Sequence, residues 1–150
     1  MLNLANKGIF RNALVASAHL YFSVVQNLSE IMLCANKVFI FSDRKSVADK
    51  LIKKYQNSGI EYIQVGKQTD LPLGEKPGFL VTVNSMLPQD MTGTLSLIGA
   101  GPWAEIYCTW IKQKGGVAVD IGSGFDLLDG QVTRPIHRSL GANVTAKLSL

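Results

Sequence analysis

Apolar residues at helical spacing dominate the first part of the chain. Between residues 12 and 34 they recur every three or four positions, which predicts one long amphipathic N-terminal helix. The apolar run at residues 37–41 has the length and composition of a strand that is buried on both faces. Ser42 or Asp43 can then cap a second helix, which carries an apolar stripe and ends before Gly59.

Further short apolar runs predict four more strands, at residues 60–65, 79–83, 94–98 and 117–121. A polar stretch with two prolines and three glycines separates the second strand from the third. Between the fourth strand and the fifth, apolar positions from Trp103 onward mark one face of a helix that ends at Gly115. The chain therefore alternates between strands and helices over most of its length.

Such alternation is typical of β-α-β units, whose connections are right-handed and whose sheet is parallel. We therefore expect residues 1–150 to form a single α/β domain, a Rossmann-like three-layer sandwich with about five mainly parallel strands in the order 3-2-1-4-5. The last residues, 139–150, contain an alternating apolar stretch. They are expected to form a tail, which is an edge strand, an oligomer contact or a frayed end.

A glycine-rich turn carries the clearest chemical signal. The pattern G-x-G-x-x-A begins at Gly99, directly after the fourth predicted strand and at the start of a helix. Glycine at 99 permits a sharp turn, glycine at 101 lets the backbone approach a phosphate, and Pro102 suits the first turn of a helix. The N–H groups and the helix dipole at such a turn attract anions.

This turn leaves three interpretations open: a nucleotide or nucleotide-sugar site, an NAD site, or a turn that only allows close packing. Asp120 follows Gly99 by 21 positions, which is where a dinucleotide-binding domain places the acid that binds ribose. Against NAD, three predicted strands precede the motif and little sequence follows Asp120.

The segment after the fifth strand adds Ser123, Asp126 and Arg134 to the polar candidate Asp120. Asp120, Ser123 and Asp126 can hydrogen-bond sugar or ribose hydroxyls, and Arg134 can bind a phosphate. The alternative roles are a helix cap for Asp126 and an ordinary surface charge for Arg134. Ligands of open parallel sheets bind at the carboxyl ends of the strands, so this segment and the Gly99 turn are expected at the same edge.

From residue 95 to residue 134 the sequence resembles the C-terminal half of bacterial GT-D type glycosyltransferases, which act in surface glycan and adhesin glycosylation. The resemblance rests on LIGAGP at the glycine turn, on IYC and WIK in the following helix, on GGVAVDIGS with FD after it, and on Thr133-Arg134. It implies a UDP-sugar as ligand, bound at the Gly99 and Asp120 loops.

The sequence also departs from that family. Its members carry an Asp-x-Glu motif in an N-terminal region for the metal and the diphosphate, and this sequence contains neither Asp-x-Glu nor Asp-x-Asp. The chain therefore resembles a truncated C-terminal portion. We expect a nucleotide-sugar-binding module whose catalysis in isolation is uncertain, with no catalytic residue or metal ligand identified; the alternatives are an NAD-binding domain and a non-catalytic, partner-binding domain.

Composition and charge limit the classes of partner that the protein is expected to bind. The net charge is +4, but the basic residues are not interleaved with stacking aromatics, so no nucleic-acid partner is expected. No apolar window is long enough for a membrane span or a secretory leader, which predicts a cytoplasmic protein.

Cys34 and Cys108 lie in apolar stretches and are expected to be buried thiols. Two histidines, His19 and His137, show no metal-binding or catalytic spacing.

Low charge and the apolar face of the first helix predict a homo-oligomer, most simply a dimer. The same face would be covered by the N-terminal half that members of the resembled family possess.

Overall fold

A parallel β-sheet between two layers of helices forms the framework of the protein. The structure is a computed structural model and describes residues 20–56, 59–65, 83–139 and 147–150. In chain order its elements are α1 (Leu20–Gln26), α2 (Leu28–Leu33), β1 (Lys37–Ser42), α3 (Lys45–Lys54), β2 (Gly59–Gln64), β3 (Thr94–Gly99), a 3₁₀ turn (Gly101–Trp103), α4 (Ala104–Gln113), β4 (Val117–Asp120), α5 (Gly124–Leu128) and α6 (Pro135–Ser139).

All strand pairs are parallel, and the spatial order is β2-β1-β3-β4. The chain moves outward in one direction from β1 to β2 and in the other from β3 to β4. Because right-handed connections then cover opposite faces, α3 and α4 belong to different layers. The order reverses between β1 and β3, where Ser42 pairs with Gly99 at the carboxyl ends of the two strands.

Two hydrophobic clusters fill the space on either side of the sheet. Alternate residues of β1 point to opposite clusters, Val38 and Ile40 to one and Phe39 and Phe41 to the other, and all four are fully buried. The first cluster also receives α1, α2, α3 and α5, and the second receives α4. Coverage on both faces explains the continuous apolar runs at the central strands β1 and β3.

The α/β sandwich is confirmed, whereas the number of five strands is wrong, because the sheet in the described residues has four. The missing strand is the one predicted at residues 79–83. Val83 belongs to a helical turn at residues 83–86, and residues 79–82 lie outside the described part of the chain. The other four strands have the predicted relative order, and β3 and β4 are adjacent and parallel as expected.

The long helix predicted for residues 12–34 is interrupted. Residues 12–19 lie outside the described part, and the remainder forms two helices, α1 and α2, that are separated at Asn27. The Asn27 side chain donates a hydrogen bond to the carbonyl oxygen of Ser23 at 2.8 Å. The same carbonyl also accepts from the Asn27 N–H at 3.1 Å, and the backbone of Asn27 departs from helical geometry with φ of −104° and ψ of 19°. Asparagine side chains that bond to nearby backbone groups are unfavourable in helix interiors, which fits the position of the interruption.

The tail predicted for residues 139–150 is described only at its two ends, because residues 140–146 lie outside the described part. At its start, Ser139 ends α6. Residues 147–148 are helical, Leu148 and Leu150 pack against the first cluster, and the Leu150 N–H donates to the carbonyl oxygen of Leu128 at 2.9 Å. Residues 147–150 are therefore packed against the core and are not in a strand, while the role of the tail as a whole stays a prediction.

The prediction of two buried thiols is wrong for Cys34, which is exposed, while Cys108 is half-buried. Cys34 follows the end of α2, where Leu33 keeps 76% of its side chain exposed. Exposed apolar side chains of this kind are compatible with a dimer, which stays a prediction. None of the helices in the described residues has the length and apolar character needed to cross a membrane.

Candidate functional site

A cleft of about 170 Å³ opens at the carboxyl ends of β1 and β3, where the strand order reverses. Open parallel sheets bind their ligands at this topological position. The volume is comparable to that of an engineered cavity of about 150 Å³ that binds benzene, so the cleft can hold a group the size of a phosphate or a small ring. Its wall consists of Ser42, Asp43 and Arg44 after β1, Gly99, Ala100 and Gly101 after β3, and Gly122, Ser123, Phe125, Asp126 and Arg134 after β4.

Five of the six site residues predicted from the sequence line this cleft, namely Gly99, Gly101, Ser123, Asp126 and Arg134. The sixth, Asp120, does not. Its carboxylate accepts a hydrogen bond from the Gly122 N–H at 2.9 Å and thereby shapes the loop that follows β4. Burial raises the pKa of Asp120 although this hydrogen bond opposes the rise, and the negative charge of Glu105 adds to it.

Two different constraints explain the two glycines of the turn. A Cβ atom on Gly99 would lie only 2.4 Å from Cδ2 of Phe125, so glycine is needed there for close packing of α5 against β3. Gly101 has a φ of 54°, in the left-handed region that L side chains rarely adopt. Any side chain at 101 would therefore strain the turn.

Asp126 lies in the cleft wall with both carboxylate oxygens already engaged. Oδ1 accepts from the Arg44 guanidinium, with Nη2 at 2.6 Å, and Oδ2 accepts from the Thr133 hydroxyl. The carboxylate thus joins the start of α3 to the segment that leads to Arg134. A ligand hydroxyl would have to share these oxygens with two existing donors, although a sugar-binding role for Asp126 stays a prediction.

Arg44 is the functional candidate that sequence reasoning missed. Besides Asp126, its guanidinium donates to Oε1 of Gln131 at 3.0 Å and lies 3.7 Å from Oδ2 of Asp129. Lys50, one helical turn and a half along α3, also donates to Asp129 at 3.2 Å. A signal existed, because Arg44 comes just after β1, and the predicted strand order already reverses next to that strand.

Two charged side chains of the wall have no partner within the described residues. The exposed Arg134 guanidinium makes no ion pair or side-chain hydrogen bond there, and the same holds for the half-buried carboxylate of Asp43. These are the groups that a ligand meets without first breaking a protein contact. In the same part of the chain, no group of three or more His, Cys, Asp and Glu side chains is arranged to hold a metal ion.

Behind the cleft, a buried histidine anchors the helix that follows Arg134. His137 of α6 is fully buried, and its Nε2 is hydrogen-bonded to the Tyr21 hydroxyl of α1 at 3.1 Å. The backbone N–H of His137 donates to the Arg134 carbonyl oxygen at 3.0 Å. Within the described residues, Nδ1 is buried without a hydrogen-bond partner. Burial lowers the pKa of His137, with the Asp126 charge opposing and the Arg134 charge assisting this shift.

We expect His137 to make stability depend on pH in mild acid. Because its pKa is lower in the folded state than the unfolded value of about 6.5, the stabilisation is complete above that pH and is lost as the pH falls through the folded pKa. Urea unfolding of the wild type and His137→Gln between pH 8 and pH 5 measures the effect. The stability difference between the two proteins should shrink as the pH falls; a difference that grows would contradict the prediction.

Comparisons with protein-family models, with curated proteins and with solved structures found no match to this chain.

Proposed function

We propose that the chain is a nucleotide-sugar-binding module that holds the diphosphate of a UDP-sugar in the cleft at the ends of β1 and β3. The observation that carries this proposal is Arg134, which lines the cleft and whose guanidinium makes no ion pair or side-chain hydrogen bond in the described residues. The resemblance of residues 95–134 to the GT-D type glycosyltransferases, which rests on the sequence, supports the same ligand class. Transfer of the sugar by this chain alone is not part of the proposal.

Phosphate chemistry fits the groups that converge there. Arginine offers a planar fork of N–H donors that matches phosphate oxygens and binds them in pairs. The turn at Gly101 brings backbone close to the cleft, and the chain continues through the 3₁₀ turn into the ten-residue helix α4. The N-terminal end of such a helix carries a partial positive charge that favours an anion.

NAD is less well supported as a ligand. The NAD interpretation needs Asp120 for the ribose, but Asp120 lies outside the cleft wall and its carboxylate accepts the Gly122 N–H. A domain that binds only a protein partner would have the same glycine turn for packing, but it would not require an unpaired arginine in the cleft wall. Both alternatives are separated from the proposal by the same experiment.

Titration calorimetry of UDP, UDP-glucose and NAD against the wild type tests the proposal. We expect both uridine ligands to bind and Arg134→Ala to weaken that binding about tenfold or more, since hydrogen bonds to charged groups contribute about 1.5–3 kcal/mol. Arg138→Ala is the matched control, because Arg138 is also an exposed arginine but does not line the cleft. Equal effects of the two substitutions, or binding of NAD alone, would contradict the proposed function.

A further inference from the structure

We propose that Asp43 recognises a vicinal diol of the bound nucleotide-sugar, with its carboxylate accepting hydrogen bonds from two neighbouring hydroxyl groups. This inference rests on the proposed function and names the residue that gives the cleft its preference for a sugar-bearing ligand. The diol belongs either to the ribose of the nucleotide or to the transferred hexose, and the experiment below distinguishes the two sources.

Asp43 occupies a position suited to this role. It directly follows β1, the strand at which the order of the sheet reverses, and it lines the cleft together with Arg134. Its side chain is half-buried and makes no hydrogen bond or ion pair within the described residues. The neighbouring Tyr62 responds to it electrostatically: burial raises the pKa of Tyr62 most, and the negative charge of Asp43 raises it further.

Of the other two predicted acids at this edge of the sheet, one lies outside the cleft wall and the other has both oxygens engaged. Asp120 accepts the Gly122 N–H and lies outside the wall. Asp126 accepts from Arg44 and from Thr133. Among the described residues of the cleft wall, this leaves Asp43 as the carboxylate whose oxygens are open to ligand hydroxyls.

A free carboxylate is unfavourable in a cleft that binds phosphate unless the ligand also offers hydrogen-bond donors to it. Placed near bound phosphates, the Asp43 charge repels them and weakens binding unless the ligand brings donors for it. A vicinal diol supplies two such donors, and hydrogen bonds to an ionised acceptor are about twice as strong as neutral ones. Asp43 and Arg134 together therefore select a ligand that carries hydroxyl pairs and phosphate in one molecule.

Removing the Asp43 carboxylate tests the hydrogen bonds to the diol against the repulsion of the phosphates. Loss of the hydrogen bonds weakens ligand binding, whereas loss of the repulsion strengthens it. Calorimetric titrations of UDP, 2′-deoxy-UDP and UDP-glucose use the wild type, Asp43→Ala and Asp49→Ala. Asp49 is the matched control: it is an exposed aspartate of α3, pairs with Lys45 and does not line the cleft. Thermal unfolding without ligand verifies that each variant is folded.

If the diol is that of ribose, the wild type binds UDP about tenfold or more tightly than 2′-deoxy-UDP. Asp43→Ala then abolishes this preference, with weaker binding of UDP and unchanged or tighter binding of 2′-deoxy-UDP. If it is that of the hexose, UDP-glucose binds more tightly than UDP in the wild type and equally in Asp43→Ala. Either pattern, with Asp49→Ala behaving as the wild type, supports the inference. Unchanged or tighter binding of all three ligands to Asp43→Ala would overturn the role of Asp43 while leaving the proposed function intact. Failure of every nucleotide to bind the wild type would overturn both.

Discussion

Gly99→Ala is expected to destabilise the protein by about 2–3 kcal/mol, although it adds a single methyl group. The new Cβ would lie 2.4 Å from Cδ2 and 2.8 Å from Cε2 of Phe125, and 3.3 Å from the carbonyl oxygen of Gly122. Phe125 is 2% exposed and packs in the first hydrophobic cluster, so moving its ring away from residue 99 disturbs core contacts. The strain must therefore spread into β3 and α5, which together build the cleft.

Gly59→Ala is the matched control. Gly59 is the first residue of β2, as Gly99 is the last residue of β3, and its backbone is not left-handed. A Cβ there would meet its nearest neighbour, Cγ of Lys37, at an ordinary 3.7 Å. Urea unfolding should show a change within about 0.5 kcal/mol for this variant. Phe125→Ala should reduce the cost of the alanine at 99, because the two sites share one contact. Equal destabilisation by Gly99→Ala and Gly59→Ala would contradict the steric argument.

Arg44→Ala is expected to cost about 2 kcal/mol, far more than an exposed ion pair contributes. The substitution leaves the carboxylates of Asp126 and Asp129 without their arginine, and both side chains are only about 15% exposed. It also removes the hydrogen bond to Gln131. Since these contacts hold the segment from 129 to 134 against α3, its amide hydrogens should exchange faster in the variant.

Lys45, the next residue along the chain, provides the control substitution for Arg44→Ala. Lys45 forms an exposed pair with Asp49 within one helix, so Lys45→Ala should cost no more than about 0.5 kcal/mol. A double-mutant cycle of Arg44→Ala with Asp126→Asn should give a coupling energy of about 1 kcal/mol or more. The argument fails if Arg44→Ala proves as mild as Lys45→Ala in chemical unfolding.

The sequence alone was sufficient for the elements whose signal is local. β1 and β3 are the two central strands, and their burial on both faces of the parallel sheet accounts directly for their mainly apolar sequences. β4 is a short apolar run at the edge of the sheet, and it is only partly buried. The glycine turn was also predictable from a local signal. The left-handed backbone at Gly101 favours glycine whatever the rest of the fold is. The alternation of strands and helices then predicted the relative order of the four strands.

Local patterns did not separate every helix from every strand. Val83 was predicted at the end of an apolar strand but lies in a helical turn, since a short apolar run is compatible with either structure when it is buried. The interruption at Asn27 is a departure of one residue from helical geometry within an otherwise continuous helical pattern. Periodicity averages over several residues, so a single competing contact leaves it almost unchanged.

Which charged residues are engaged and which are free was decided by the tertiary structure alone. Asp120, Asp126 and Asp43 look alike in the sequence as acids at or after strand ends. Only the fold shows that the first holds its own loop, the second is joined to Arg44, and the third is left open in the cleft. For the contacts of Arg44 the reason is distance along the chain: Arg44 meets Gln131 across 87 positions, and a contact of that separation leaves no periodic trace in the residues on either side. The contact between Asp120 and Gly122 is local and spans two positions.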